Sequence, residues 1–336
     1  MAHTITRAQI DLLVGQLLSL GKSVAGPTEA NGRYYYQKID APSKMLLDSA
    51  IMPSNSFKEF IFPRSETICS YRHEGKELVV IDAEKVIQEQ IIFGVRPCDS
   101  ASLPILDKLF AWDFQDCFYQ QRREHSTVVS LACKEADKHC FCSSVGLAPD
   151  TPSGADAMLV QIGADSFEVR IFTEKGTELF RGYTEESDKT GKTAEPPKVK
   201  FDAKRVENYL RAHFSEQPYE QTSLRCVGCG SCTYICPTCH CFDIVDEGGA
   251  HKGRRVKNWD SCQFAMFSLH ASGHNPRSMQ SARQRNRIQH KFNIYPEKFG
   301  LILCTGCGNC TRICPASLGV YPTLELIDRQ AKSAMK

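Results

Sequence analysis

Short apolar runs in the first half of the chain predict buried strands that alternate with helices. The runs cover residues 78–81, 91–95 and 128–131, and the segments 84–89 and 99–110 have helical length and spacing. Near the start, apolar residues at helical spacing predict an amphipathic helix that stops at Gly21: Ile10, Leu13, Val14, Leu17 and Leu18. This alternation is typical of an α/β core.

Two further alternating runs, residues 158–162 and 167–172, predict a hairpin that turns through 163–165. Residues 183–198 are polar and charged and contain two adjacent prolines, which predicts a linker. Residues 202–214 then have the pattern of a short helix. We therefore expect an α+β chain in three parts: an α/β domain over 1–182, a linker over 183–200 and a second domain over 201–336.

The composition is ordinary for a globular protein except for its cysteines. The chain has 336 residues, a formal net charge of +2 and 42% hydrophobic residues, which supports a sizeable core and argues against wholesale binding to nucleic acid or an anionic membrane. No apolar run is long enough to predict a membrane span, and the first residues do not resemble a signal peptide. We expect a cytoplasmic protein, in which 17 cysteines act as metal ligands or redox groups.

The C-terminal third contains a repeated cysteine motif. Four cysteines at spacings of three, three and four, followed by proline, occur twice: Cys226, Cys229, Cys232 and Cys236 before Pro237, and Cys304, Cys307, Cys310 and Cys314 before Pro315. This run is typical of bacterial ferredoxins that bind 4Fe-4S clusters. A zinc ribbon is the alternative, but it would leave the third and fourth cysteine of each copy unexplained.

The spacing also predicts which cysteines share a cluster. In two-cluster ferredoxins the last cysteine of each run binds the other cluster. The expected ligands are Cys226, Cys229, Cys232 and Cys314 for the first centre, and Cys304, Cys307, Cys310 and Cys236 for the second. The long insert between the runs has helical stretches around 261–270 and 278–290, which predicts a helical ferredoxin-like domain with two 4Fe-4S clusters.

A third group of cysteines follows two predicted strands of the first domain. Cys98 comes after the strand at 91–95, and Cys133, Cys140 and Cys142 come after the strand at 128–131. Because the carboxyl ends of parallel strands meet at one sheet edge, we expect these four thiols to lie together. A third iron-sulfur cluster is favoured over a zinc ion and over buried structural cysteines.

Five cysteines remain. Three of them, Cys239, Cys241 and Cys262, are expected near Cys236. They could support the cluster ligands from outside, or form a thiol pair that exchanges electrons or sulfur. A third alternative is that they are ligands themselves, completed by His240 or by a partner chain. We assign them no metal. Cys69 and Cys117 have no partner at local spacing and are expected in the core.

Positive charge is concentrated in the insert. Residues 251–298 contain ten Lys and Arg but only two acids, Asp260 and Glu297. These cations could form a solvated basic face or bind nucleic acid. We favour a third interpretation, in which they compensate the negative charge of the clusters and dock an acidic partner, because the net charge of the whole chain is small. Phosphate-loop, dinucleotide-binding and hydrolase motifs are absent from the sequence, which favours an electron relay over a catalyst.

Several segments resemble one known family. They are FGVRPCD at 93–99, the cysteine spacing at 133–142, CVGCGSCTYICPTCHCFD at 226–243, WDSC at 259–262, LHASGHNP at 269–276 and CTGCGNCTRICP at 304–315, together with PSK at 42–44 and FPRSE at 62–66. These segments resemble the 4Fe-4S dicluster beta subunits of cytoplasmic nickel-iron sulfhydrogenases and the related iron-sulfur subunits of anaerobic sulfite reductases. The GVRPCD form is closer to the hydrogenase type.

The resemblance implies a non-catalytic electron-transfer subunit of an oxidoreductase from anaerobic metabolism. It implies two partners: a flavoprotein subunit linked to NAD(P)H or ferredoxin, and a catalytic hydrogenase subunit. It also supports the third cluster, since Cys98, Cys133, Cys140 and Cys142 match family positions. The alternatives are the same relay in an anaerobic sulfite reductase or a heterodisulfide-reductase-like complex, and a zinc-binding structural or nucleic-acid-binding protein.

Overall fold

A computed structural model describes residues 2–48, 50, 52–83, 88–214 and 218–334. Within these residues the strands are β1 Ala2–Thr6, β2 Ser23–Ala30, β3 Arg33–Ile39, β4 Ser65–Glu74, β5 Glu77–Asp82, β6 Gln90–Val95, β7 Ser126–Leu131, β8 Ala157–Gln161, β9 Ser166–Ile171, β10 Glu185–Ser187, β11 Phe242–Gly248 and β12 Lys252–Trp259. The helices are α1 Arg7–Ser19, α2 Pro97–Ser100, α3 Leu103–Phe110, α4 Cys117–Glu124, α5 Glu174–Phe180, α6 Ala203–Ala212, α7 Tyr219–Ser223, α8 Ser231–Tyr234, α9 Gln280–Gln289, α10 Tyr295–Phe299, α11 Asn309–Arg312 and α12 Tyr321–Ala334.

The larger sheet is mixed, with the strand order β10-β1-β9-β8-β7-β6-β2-β3. Its centre is parallel, because β2, β6, β7 and β8 pair in the same direction, and the flanking pairs are antiparallel. Every residue of β6 is buried, as expected for a parallel strand covered on both faces. The parallel centre places the ends of β6 and β7 at one edge, where the third group of cysteines begins.

Two apolar layers cover this sheet. One layer joins α1 and α5 to side chains such as Ile91, Phe93 and Val129. The other joins α3 to Ile92 and Val128, together with Trp259 from the insert. The predicted amphipathic helix is confirmed as α1, whose buried residues include Ile10, Leu13, Val14 and Leu17. A capping box between Thr6 and Gln9 fixes the start of α1.

Other predicted elements are confirmed with small shifts. The hairpin at 158–172 forms as antiparallel β8 and β9, and the helix at 202–214 forms as α6. The predicted helix at 99–110 is broken into α2 and α3, with Ala101 and Ser102 between them. Residues 84–87 of the predicted helix at 84–89 lie outside the described residues, and the two that follow are irregular.

The smaller sheet corrects two expectations. Its order is β11-β12-β4-β5, so it joins a hairpin of the insert to a hairpin of the first half. The prediction of a buried strand at 78–81 is wrong: this run lies in β5 at the edge of the smaller sheet, where most of its side chains are exposed. The insert contains the unexpected strands β11 and β12, and within 261–270 only a short 3-10 turn forms, at Ala265–Ser268. The helical stretch expected around 278–290 is confirmed as α9.

Helices of the C-terminal part enclose a third core. The core contains Val206, Leu210, Ile288 and Leu324 from α6, α9 and α12, and Phe141 inserts into it from the first half. The predicted linker packs against the first part of the chain. Its strand β10 pairs with β1, and Ala194 N donates a backbone hydrogen bond to Cys133 O over 2.7 Å. The two halves are therefore joined by shared strands and a shared core.

Candidate iron-sulfur centres

The two cysteine runs fold into equivalent loops. Each loop leads into a one-turn helix, α8 or α11, and these two helices pack against each other. Gly228 and Gly306 have φ values of 67° and 65°, and Gly230 and Gly308 have values of 73° and 75°. These left-handed positions favour glycine and let each loop curl around its thiols.

The first predicted ligand set comes together around one cavity. Its lining includes all four expected cysteines, three from the first run and the last from the second: Cys226, Cys229, Cys232 and Cys314. Gln280 Nε2 donates to Cys226 Sγ over 3.2 Å, and Arg287 also lines the cavity. The fold thus brings the four thiols of the first predicted set to one cavity, and four thiolates are the number that a 4Fe-4S cluster takes.

The second predicted set lies deeper. Cys236, Cys307 and Cys310 are buried, and Cys304 is half-buried. Burial raises the pKa of Cys304 to about 12, and the nearby Cys236 thiol contributes to this rise. Lys291 Nζ lies 3.4 Å from Cys236 Sγ. The last cysteine of the first run therefore lies near the first cysteine of the second run.

The third predicted set also shares a cavity. Cys98, Cys133, Cys140 and Cys142 all line it, together with Cys307 of the second run. Cys98 lies in α2 just after β6, and Cys133 follows β7, so two adjacent parallel strands deliver these thiols to one edge. Burial raises the pKa of Cys140 to about 11 and also raises that of Cys98 and Cys133. Thiols in such surroundings ionise when a metal binds them.

The three sites are contiguous. The loop at Gly306 packs directly on the third site, because Phe141 donates a backbone hydrogen bond to Gly306 O over 2.9 Å. Cys98 and Cys307 are close enough for their charges to interact, and so are Cys232 and Cys310. The second site therefore lies between the first and the third.

The other five thiols fall into two groups. Cys239 hydrogen-bonds to Cys236 and so adjoins the second site, whereas Cys241 and Cys262 hydrogen-bond to each other. The expectation that Cys117 belongs to the core is wrong, because it is exposed at the start of α4. Cys69 is half-buried on β4.

Buried cations surround the second site. Lys58, Arg287 and Lys291 are only 2%, 3% and 2% exposed. Burial alone would lower the pKa of Lys291 and Arg287, but neighbouring thiolates, Cys236 among them, raise both. Lys58 comes from the first half of the chain and carries no local sequence signal that would have identified it. Its Nζ donates to Cys239 O over 2.7 Å.

Three cations of the insert bind acidic side chains instead. Arg254 and Arg255 pair with Glu247 and Asp246 across the β11–β12 hairpin. Lys257 is buried, and its Nζ forms salt bridges to Glu66 Oε2 at 3.1 Å and to Asp116 Oδ2 at 2.9 Å. Charge compensation near the thiols thus rests on a few buried side chains, and three other cations of the insert are neutralised by acids.

Among the described residues, no three His, Cys, Asp or Glu side chains form a group that could hold one metal ion. In the same described segments, no helix has the length and apolarity needed to cross a membrane.

Comparisons with known proteins found a family profile and a relative that match this chain. A family profile described as a 4Fe-4S dicluster domain matches residues 225–318. Sulfhydrogenase 2 subunit beta of Pyrococcus furiosus is 30% identical over 310 residues, which cover 88% of this chain and 89% of that protein. No solved structure gives a significant match.

Proposed function

This chain belongs to the family of sulfhydrogenase beta subunits, and we propose that it is the iron-sulfur electron-transfer subunit of a multisubunit oxidoreductase. The observation that carries the proposal is the shared cavity of Cys226, Cys229, Cys232 and Cys314. Cysteines from two runs meet there, as the crossed ligation of a two-cluster ferredoxin requires. Clusters held by such thiolates accept and release single electrons.

The proposed cofactors are three 4Fe-4S clusters in a helical ferredoxin-like part and the adjoining sheet edge. The first uses the cavity above, the second uses Cys236 with Cys304, Cys307 and Cys310, and the third uses Cys98, Cys133, Cys140 and Cys142. The contact between Gly306 and Phe141 supports electron transfer between the second and third centres, since it leaves no intervening layer. Cys229 is exposed, so the first centre is the one nearest solvent.

The proposed partners are a flavoprotein subunit linked to NAD(P)H or ferredoxin and a catalytic hydrogenase subunit. The relative in Pyrococcus furiosus is by name a subunit of a sulfhydrogenase, which supports a catalytic partner of that class. In this arrangement the present chain conducts electrons, and the bond chemistry takes place in the catalytic subunit.

The test uses the native complex with Cys314→Ser in this chain. We expect physiological electron transfer to fall at least about tenfold, because a ligand of the first centre is lost. The catalytic subunit should still react with a dye that exchanges electrons with it directly. Cys117→Ser, which changes an exposed thiol outside the three sites, is the control.

Two outcomes would contradict this proposal. Equal loss of the physiological and dye-linked reactions would mean that Cys314 stabilises the complex and does not bind a cluster that transfers electrons. Spectra that lose only the centre bound by Cys304, Cys307 and Cys310 would contradict the crossed ligation.

A further inference from the structure

Exposed apolar side chains lie around the loop that carries the first site. Val227 is 73% exposed and stands between the proposed ligands Cys226 and Cys229. Met266 and Met279 are 71% and 67% exposed. Single apolar side chains are common on protein surfaces, but a group of them beside a functional site marks a place where another molecule binds. The question is therefore whether these side chains share one surface.

Packing and hydrogen bonds bring the segments that carry these side chains together at the cysteine loop. A Cβ on Gly230 would lie 2.5 Å from the Phe264 ring, so the segment that carries Met266 packs on the loop. Gln280, the residue after Met279, donates from Nε2 to the first thiol of the loop over 3.2 Å. A side-chain hydrogen bond of 2.6 Å also joins the two outer segments. We call the three segments the first-site surface: residues 224–230, 264–269 and 275–280.

The composition of the first-site surface is typical of a protein interface. Its segments contain Leu, Val, Met and Arg but no Lys, Asp or Glu. Interfaces are enriched in Met and Arg and depleted in Lys, Asp and Glu relative to the rest of a protein surface. Arg225 and Arg277 form no salt bridge within the described residues, whereas Arg254 and Arg255 of the β11–β12 hairpin are paired. The surface is therefore apolar and carries positive charge that no described acid of this chain binds.

This charge disfavours a second copy of the chain as the occupant. A twofold contact places the same patch on both sides of an interface. Both sides would then carry the positive charge of Arg225 and Arg277 without an acid to pair with it, and like charges across an interface are unfavourable. A protein that presents an apolar patch ringed by carboxylates complements both the apolar side chains and the arginines.

We propose that the first-site surface binds the redox subunit that exchanges electrons with the first centre, and that this subunit contributes an apolar patch ringed by Asp and Glu side chains. The proposal rests on the relay proposed above and adds the surface through which the relay is connected. Cys229 is exposed within this surface, so the partner's cofactor approaches the first centre without an intervening layer of this chain. Attraction between the arginines and the partner's carboxylates orients the two proteins.

The first test uses wild-type protein and does not depend on the folding of a variant. The isolated chain and the native complex, both kept anaerobic, are labelled with a photolysed diazirine, and the labelled peptides are quantified by mass spectrometry. We expect residues 264–269 and 275–280 to take up at least about twofold less label in the complex, because an interface core excludes solvent and reagent. Equal labelling of these residues in both samples would overturn the proposal.

The second test compares two charges at one position of the native complex. Met266→Glu should lower physiological electron transfer at least about tenfold at low salt, because the new carboxylate repels those of the partner, and Met266→Lys should lower it less. The difference should shrink at high salt. Leu12→Glu, which places a carboxylate at an exposed apolar position of α1, is the control. Equal losses in Met266→Glu and Met266→Lys would contradict an acidic partner.

A photo-crosslink identifies the occupant. With benzoylphenylalanine in place of Met266, irradiation of the complex should join this chain to a peptide of a redox subunit that contains Asp or Glu, and a crosslink to a second copy of this chain would overturn the proposal. Failure of the relay would look different, because Met266 is not a proposed ligand and its variants should keep the wild-type iron content. Wild-type protein without iron would reject the relay, whereas iron-containing protein with an uncovered first-site surface would reject only the docking.

Discussion

At the residue scale, Lys291 determines much of the charge around the second centre. Its Nζ lies 3.4 Å from Cys236 Sγ, donates to Leu303 O over 2.9 Å and contacts Thr238 Oγ1 at 3.0 Å. A buried cation in this position stabilises the electron-rich state of a bound cluster more than the oxidised state. The reduction potential of the second centre should therefore depend on this side chain.

We predict that Lys291→Gln lowers the midpoint potential of the second centre by at least about 59 mV, a tenfold change in a one-electron equilibrium. Lys291→Arg, which keeps the charge, should restore most of the difference. The measurement is a redox titration followed by electron paramagnetic resonance. Lys252→Gln, at an exposed position of β12, is the control, and an equal shift in this variant would contradict the local effect.

Sequence reasoning located the proposed ligands but not all of their surroundings. The two cysteine runs are recognisable because the thiols of each run lie in one short loop, so their spacing can be read directly from the sequence. Lys58 reaches the same site from 181 positions before Cys239, so no local pattern could reveal it. Such a contact exists only through the tertiary fold.

At the scale of elements, the contact between two loops joins the second and third sites. Gly306 has a φ of 65°, and a Cβ there would come within 2.6 Å of the Cys142 backbone. That distance is too short for any side chain, and the obstacle is backbone that has little freedom to move. The glycine is thus required both by its conformation and by the neighbouring loop.

Gly306→Ala should therefore separate the two loops and lower the iron content of the second and third sites. Gly300→Ala is a matched control, because Gly300 has a similar φ of 70° but open space around its Cβ position. The control should show only the cost of the left-handed backbone, about 1 kcal/mol. Iron analysis and thermal unfolding compare the two variants, and equal iron loss would contradict the role of the loop contact.

The elements that the sequence predicted well are those with local signals. α1 and the β8–β9 hairpin follow from apolar periodicity and a turn. The run at 78–81 has the composition of a buried strand, but it pairs at the edge of the smaller sheet through β4, whose other partner is β12. Its exposure depends on that distant pairing and could not be deduced from local composition.

At the scale of the whole molecule, the chain is joined across its predicted boundary. β4 pairs with β12, and Lys257 of β12 is buried against Glu66 and Asp116 of the first half. Phe141 lies in the core of the C-terminal helices. These contacts hold the third site against the second, so the proposed centres form one continuous series and not two separate groups.

The central claim is that the cysteines hold iron-sulfur clusters that conduct electrons. Metal and acid-labile sulfide analysis of the anaerobically purified chain, combined with reductive titration of its visible absorbance, tests this claim most directly. We predict a brown protein with equal amounts of iron and sulfide whose absorbance bleaches reversibly on one-electron reduction. A colourless protein that contains zinc without iron or sulfide would contradict it.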